Sequence, residues 1–181
     1  SSDATEVMAS QYSNVKIFRS RFTGFGEMKQ KVVALTTNDW ILSLDTDEVL
    51  SEELIHALES INLEIDSVYC IKRNNCFKGR HIDACGWDND FPIRLFNKTK
   101  TNFNDQKVHE SIISYGMQAK KINQAIIHYS YESEIQLKEK AIKYARLFKE
   151  QNRNKSQLPT IFIYLKTASR FVRDFLFKKG F

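Results

Sequence analysis

Three carboxylates lie within four positions of the chain, directly after an apolar segment. They are Asp45, Asp47 and Glu48, and the segment is WILSL, residues 40–44. A nearly continuous apolar run is typical of a strand buried on both faces, as in parallel sheets. Ligands of such sheets bind beyond the carboxyl ends of the strands. The pattern therefore predicts a Mg²⁺ or Mn²⁺ site at Asp45 and Asp47, with the phosphate oxygens of a diphosphate as further ligands.

A simpler interpretation is that Asp47 and Glu48 only charge the start of the next helix. Negative charge at a helix N-terminus is favourable by a few tenths to ~1 kcal/mol. Ser51 has N-cap chemistry for such a helix, with glutamates at 52–53 in its first turn. The D-x-D triplet alone is common, but its position after a buried strand that begins at Trp40 favours the metal interpretation.

The composition describes one globular protein. The 181 residues, of which 42% are hydrophobic and 27% charged, are enough for a single domain with a full core. The net charge of +5 favours phosphates or an anionic membrane surface as partners without requiring either. The cysteines 70, 76 and 85 include no C-x-x-C pair and are interpreted as free thiols of a reducing compartment, because their spacing with His81 matches no common zinc finger.

The elements that position the acids follow from the hydrophobic periodicity. A first helix ends near Tyr12, a strand covers 14–18, and a helix follows Gly24 and Gly26 up to Asn38. With the strand at 40–44 and the helix after it, this order predicts an α/β unit with parallel strands. After residue 66, short strand-like segments predict a mixed or antiparallel extension of the sheet. These segments are residues 67–73, 91–97, 110–116 and 125–131.

Two helices are predicted at the end of the chain. The first covers about 132–153, and the second begins beyond Pro159. In the second, Lys166, Arg170 and Arg173 lie opposite an apolar, aromatic-rich stripe. This helix either lies on an anionic membrane surface or packs on its own domain with the bases in water.

Five segments, in order, resemble the bacterial lipopolysaccharide-core glycosyltransferases of glycosyltransferase family 2, a group that includes inner-core β-1,4-glucosyltransferases. They are GFGEMKQKVVAL, DWILSLDTDEVLSEEL, GWDNDFPIRLFNK, VHESI and IIHYSY. The resemblance implies an α/β fold of the GT-A type, with a mixed sheet flanked by helices. Residues 1–131 would form a partial catalytic domain that lacks the first strands, and 132–181 a helical extension that associates with the membrane. Activity would then belong to a longer parent protein.

The resemblance also implies an activity and its partners. The expected reaction moves a sugar, with inversion, from a nucleotide-diphosphate sugar such as a UDP-hexose to a lipopolysaccharide-core or other glycan acceptor. Mg²⁺ or Mn²⁺ would assist, and the acceptor would be a glycolipid or an oligosaccharide. The expected location is cytoplasmic, at the periphery of the cytoplasmic face of the inner membrane. No nucleic-acid partner is expected.

The resemblance assigns donor-binding roles to individual residues. Asp47 would bind the metal, and Asp45 would lie near the ribose or the sugar. Lys29 would face the diphosphate, although Gln30 stands where the family usually has Asn. Asp3 matches the last acid of the family's D-S-G-S motif and would also bind the donor.

The transfer needs a general base for the acceptor hydroxyl. Asp90 matches the acid that the family places before R-L-F, and Asp88 and Glu110 are alternative bases; Asp88 and Asp90 are otherwise turn formers. Arg94 contacts phosphate or pairs with an acid. Trp87 stacks on the acceptor sugar or fills the core.

Two histidines lie in segments that resemble the family. His109 is predicted to lie near the active site as a further metal ligand, and His128 is predicted to be structural. Two other functions stay open: a nucleotidyltransferase that acts on sugar phosphates, and a non-catalytic nucleic-acid-binding domain. A nucleic-acid binder is the less favoured, because the basic residues form no continuous aromatic-studded strip.

Overall fold

A computed structural model describes residues 4–84, 86–107, 109–151 and 159–178, so the predicted donor ligand Asp3 and the thiol of Cys85 lie outside the described residues. The helices are α1 (Thr5–Ala9), α2 (Phe25–Leu35), α3 (Glu52–Ser60), α4 (Glu134–Gln151) and α5 (Thr160–Phe177). The strands are β1 (Trp40–Leu42), β2 (Glu48–Leu50), β3 (Ser67–Phe77), β4 (Arg80–His81), β5 (Ile93–Asn97) and β6 (Gln118–Tyr131).

The strands form one mixed sheet, which confirms the predicted fold class. The order is β1-β5-β3-β6-β2, and β4 extends β3 as a hairpin. β3 and β6 run parallel along most of their length. The other described pairings, β1 with β5, β5 with β3 and β2 with β6, are antiparallel. The long β3–β6 pair is therefore the axis around which the shorter strands assemble.

Three strand predictions need correction. Residues 14–18 form no strand, and Val15, Ile17 and Phe18 are exposed because no neighbouring strand covers them. Segment 40–44 is not a central parallel strand: β1 ends at Leu42, stands last in the sheet order, and only its central residue is buried. Segment 110–116 contributes only an isolated bridge, between Ile112 and Phe103.

Each face of the sheet carries its own apolar cluster, because side chains alternate along the strands. On one face, Val33 of α2 packs with Ile41, Val68 and Phe96. On the other, Leu54 of α3 packs with a second cluster, which consists of Tyr69, Ile71, Leu95, Ile122 and Ile126. The two clusters fix β1, β3 and β5 in register and so fix the ends of these strands, where the polar residues gather.

The start of α3 bears on the interpretation that the acidic segment charges this helix. Ser51 Oγ accepts a hydrogen bond from the Leu54 backbone N–H at 3.2 Å, which confirms Ser51 as the N-cap. Strand β2 lies between Asp47 and this helix, and Glu48 is the first residue of β2. Asp47 and Glu48 therefore do not charge the first turn of α3.

The two terminal helices are present, and both are exposed. α4 contains no buried residue, and the apolar stripe of α5 is largely open to solvent, for example at Leu165 and Leu176. Among the described residues, none of the helices has the length and apolar character needed to cross a bilayer.

Candidate active site

The acidic segment forms a tight turn between β1 and β2. The Glu48 backbone N–H donates to the Asp45 carbonyl at 3.1 Å, and the Asp45 N–H donates to the Glu48 carboxylate at 3.1 Å. The Tyr129 N–H of β6 donates to the Asp47 carbonyl at 2.8 Å, which ties the turn to the sheet. The backbone of this turn is thus fixed from both sides. Of its three carboxylates, Asp45 and Glu48 share Arg94 as a partner, and Asp47 faces other residues.

Glu48 is a buried structural acid. Its side chain is fully buried and accepts hydrogen bonds from Arg94 and, at 3.3 Å, from Arg73. A buried carboxylate is costly unless it is paired and hydrogen-bonded, and the two guanidinium groups supply this compensation. Glu48 therefore anchors the turn from which Asp45 and Asp47 project.

Arg94 is the central cation of this anchor, because its Nη2 also contacts Asp45 at 2.8 Å. We expect Arg94→Lys to lower the free energy of unfolding by about 2 kcal/mol, since an ammonium cannot reproduce the contacts of the planar guanidinium to both acids. Urea unfolding monitored by circular dichroism measures this change. The exposed Arg80→Lys control is expected to change the value by less than about 0.5 kcal/mol, and an equal loss in both variants would contradict the anchor role.

Asp45 joins the turn to helix α2. Its Oδ1 lies 2.9 Å from Lys29 Nζ, and the same ammonium lies 2.8 Å from Glu110. Burial of Asp45 opposes its ionisation, but Arg94 and Lys29 outweigh that effect and hold the pKa of this carboxyl below its usual value. The structure thus brings together three predicted donor or catalytic residues: Lys29, Asp45 and Glu110.

Asp47 faces a cleft of about 340 Å³. Its Oδ2 lies 3.5 Å from His128 Nε2 and 3.2 Å from Lys140 Nζ. The hydrogen bond from His128 and the nearby ammonium of Lys140 hold the pKa of Asp47 well below its usual range, although partial burial acts in the opposite direction. The cleft is lined by Thr46, Asp47, Val49, Tyr129, Ser130, Glu132, Gln136 and Lys140.

The predicted base Asp90 is held through one of its two oxygens. Oδ2 accepts from Arg73 Nε at 2.8 Å and from Asn75 Nδ2 at 2.9 Å. Since the Asn75 amide donates to this carboxylate, its Oδ1 faces His128 Nδ1, at 2.7 Å, and requires a proton on that nitrogen. A continuous path of polar contacts therefore runs from Asp90 through Asn75 and His128 to Asp47.

The other predicted site residues have distinct environments. Asp88 is exposed in a turn, and the Trp87 ring lies 6.5 Å from the Tyr131 ring, between centroids. The His109 ring is stacked on the ring of Tyr144, 6.4 Å away. His109 thus belongs to an aromatic cluster beneath α4, which also includes Phe25 and Phe148.

Three residues of this site were not identified from the sequence: Arg73, Asn75 and Lys140. A fourth, His128, was predicted only as a structural residue. A signal was present for the strand residues. Arg73 and Asn75 are two apart in a strand and share one face, and in the parallel pairing Asn75 lies opposite His128. Charged and amide side chains within a central strand are unusual and mark a site. Nothing in the sequence pairs Lys140 with Asp47, 93 positions away.

One comparison with known families bears on these residues. A family model described as "Glycosyl transferase family 2" matches residues 1–127 of the 181. The matched part includes the acidic turn, the strands β1 to β5 and most of β6. The residues that contact Asp47 from outside the turn, His128, Tyr129 and Lys140, lie beyond the matched part.

Proposed function

The chain belongs to glycosyl transferase family 2, and from this membership we propose that it is the catalytic part of an inverting transferase. The donor is a nucleotide-diphosphate sugar, of the UDP-hexose class, and the acceptor is a glycan of the lipopolysaccharide-core type. The observation that carries the proposal is the polar path from Asp90 through Asn75 and His128 to Asp47, which lines the cleft. The family match gives no support to the nucleotidyltransferase or the nucleic-acid binder.

The donor diphosphate is proposed to bind between the acidic turn and α2. Lys29 is pre-positioned there by two carboxylates, Asp45 and Glu110, at 2.9 and 2.8 Å. A fixed ammonium loses little further side-chain entropy when a phosphate arrives, so this arrangement favours binding. Arg94 supports the site indirectly, because it holds Asp45 in place from its buried position.

Family 2 glycosyltransferases generally use a divalent metal, and the residues at Asp47 fit one that is shared with substrate. Among the described residues, no group of three or more acids, histidines and cysteines could hold an ion alone. Asp47 instead offers one carboxylate at the cleft, and His128 Nε2, 3.5 Å from its Oδ2, is a second ligand once that nitrogen carries no proton. Mg²⁺ and Mn²⁺ suit this set, because they commonly take one or two carboxylates and complete their coordination with substrate phosphates and water. When bound, the ion neutralises charge on the leaving diphosphate.

Asp90 is proposed as the general base. Its carboxylate takes the proton of the acceptor hydroxyl while the acceptor oxygen bonds to the anomeric carbon and the bond from that carbon to the diphosphate breaks. Arg73 and Asn75 both donate to Oδ2 and so fix the orientation of the carboxylate. Trp87 lies just before the turn that ends at Asn89, and its ring is next to that of Tyr131. This ring is proposed to offer an aromatic face to the acceptor sugar.

The acceptor is proposed to reach the site from the cytoplasmic face of a membrane on which α5 lies. Helix α5 carries exposed aromatic and aliphatic residues, such as Phe171 and Leu165, and the exposed bases Lys166 and Arg170. An interfacial helix of this composition binds anionic lipid through both groups.

A flotation experiment tests this role of α5. Substituting Lys166→Gln together with Arg170→Gln is expected to weaken binding to phosphatidylserine-containing vesicles roughly 30-fold, at about 1 kcal/mol per basic residue. Binding to neutral phosphatidylcholine vesicles should be weak for both proteins. Equal flotation of the variant and the wild type on anionic vesicles would exclude the electrostatic part of the proposal.

The transferase activity is tested with a panel of nucleotide sugars, Mn²⁺ and a truncated lipopolysaccharide acceptor. The assay uses the full natural protein that contains this chain. We expect transfer from one UDP-hexose, with inversion at the anomeric carbon, and its loss on chelation of the metal. Release of pyrophosphate from a nucleoside triphosphate, in place of sugar transfer, would identify a nucleotidyltransferase.

A further inference from the structure

Lys140 occupies the position next to Asp47 that a bound cation would take. Its Nζ lies 3.2 Å from Asp47 Oδ2 and 3.1 Å from the carbonyl oxygen of Ser130. It also lies 5.0 Å from the centre of the Tyr131 ring, a favourable distance for a cation–π contact. The ammonium therefore neutralises Asp47 from within the cleft.

The helix that carries Lys140 is held by few contacts. α4 has no buried residue. Polar contacts fasten it at its two ends, where Glu134 lies 3.2 Å from Lys78 and Gln151 accepts from the Lys107 N–H at 3.0 Å. Between them, Tyr144 stacks on Phe25 and His109, and Phe148 lies against His109, all on one side of the helix. Elements with few buried apolar contacts open at low free-energy cost, so α4 can shift without disrupting the sheet.

Lys140 and a divalent ion cannot both lie against Asp47 without repulsion between like charges. At a separation of about 4 Å this repulsion lowers the affinity for the ion several-fold or more. The factor is larger where water screens the charges less. An ammonium group carries three donors, and the oxygens of a diphosphate are strong acceptors for them. A diphosphate that enters with the ion thus provides Lys140 with a new partner at the same cleft.

We propose that Lys140 is a positioning residue that exchanges partners. In the free protein it is the counter-ion of Asp47, and in the donor complex it moves to the diphosphate and draws α4 over the cleft. This inference rests on the proposed function. It adds a residue from outside the family-matched segment, and it makes α4 part of the donor site.

The test compares two affinities that move in opposite directions. Lys140→Met is expected to raise the affinity for Mn²⁺ alone, measured by electron paramagnetic resonance, about tenfold, because the competing charge is removed. The same variant is expected to lower the affinity for UDP in saturating Mn²⁺, measured by calorimetry, about tenfold, because the phosphate contact is lost. Lys143→Met is the matched control: it changes an exposed lysine of the same helix that does not line the Asp47 cleft, and neither affinity should change.

The outcomes separate this inference from the proposed function. Unchanged Mn²⁺ affinity in Lys140→Met, or a fall in both affinities, overturns the exchange. If Asp47→Asn abolishes Mn²⁺ binding while Lys140→Met alters nothing, the exchange is wrong and the proposed cation site stands. If Asp47→Asn binds Mn²⁺ normally, the proposed cation site is wrong. Should Lys140→Met fail to fold, Lys140→Gln, which keeps a polar contact to Ser130, gives the same comparison.

Discussion

Replacing Asp90 by Asn is expected to reduce kcat for sugar transfer by about 10²–10⁴-fold, with little change in the KM for the donor. The amide cannot take the proton of the acceptor hydroxyl, and general-base catalysis contributes a factor of this size. Asn retains the shape of the side chain and one oxygen that can accept from Arg73, so the fold should be kept. Steady-state kinetics at saturating donor measure the effect.

The competing acid Asp88 makes this prediction specific. Asp88 is exposed in the turn that precedes Asp90, whereas Asp90 is joined to the cleft through Asn75. Asp88→Asn is expected to reduce kcat less than about threefold, and Asp83→Asn, at an exposed position upstream, serves as the control. A large loss in Asp88→Asn with an active Asp90→Asn would assign the base to Asp88.

Replacing Asp47 by Asn is expected to lower kcat/KM by roughly 10²–10³-fold. Stabilisation of the leaving group by a metal contributes several kcal/mol, and each 1.36 kcal/mol corresponds to a factor of ten. The variant also removes the carboxylate charge that faces Lys140 and that His128 contacts, so these two side chains lose their charged partner. Raising the Mn²⁺ concentration should restore part of the activity, because the loss is mainly one of ion binding.

Two further aspartate variants are informative comparisons for Asp47. Asp45→Asn is expected to impair donor binding through loss of the Lys29 contact, and so to raise the donor KM more than it lowers kcat. Asp105→Asn, in an exposed loop, is the control. Turnover in Asp47→Asn equal to that of the wild type, at every Mn²⁺ concentration, would contradict the metal-assisted mechanism.

The sequence predicted the parts of the fold that depend on local chemistry. The cap at Ser51, the helix α2, the strands β3, β5 and β6 and the mixed character of the sheet were all predicted. The apolar run at 40–44 predicts a central parallel strand, and this prediction is wrong. Apolar residues are common both in a strand that has neighbours on its two sides and in an edge strand that is covered by helices, so composition does not distinguish the two. Residues 14–18 have the composition of a strand, but a strand also needs a partner, which no local pattern supplies.

The candidate site also has a part that the sequence predicts and a part that it does not. The acids of the turn and the base candidate could be found because they are close in sequence or belong to a familiar motif. The partners that decide what each acid does come from distant positions: Arg94 and Arg73 neutralise Glu48, and Asp47 lies against Lys140 and His128. Because the arrangement of the sheet and the packing of α4 set these neighbours, the sequence identified the charges but not which of them is structural.

The joint binding of a diphosphate and a divalent ion at Asp47 is the central claim for this site. Calorimetric titration of UDP into the full natural protein, with Mn²⁺ and with chelator, measures it directly. We predict UDP binding that requires Mn²⁺ and is lost in Asp47→Asn but kept in Asp105→Asn. Binding of UDP that is equally tight without the metal, or in Asp47→Asn, would contradict the account.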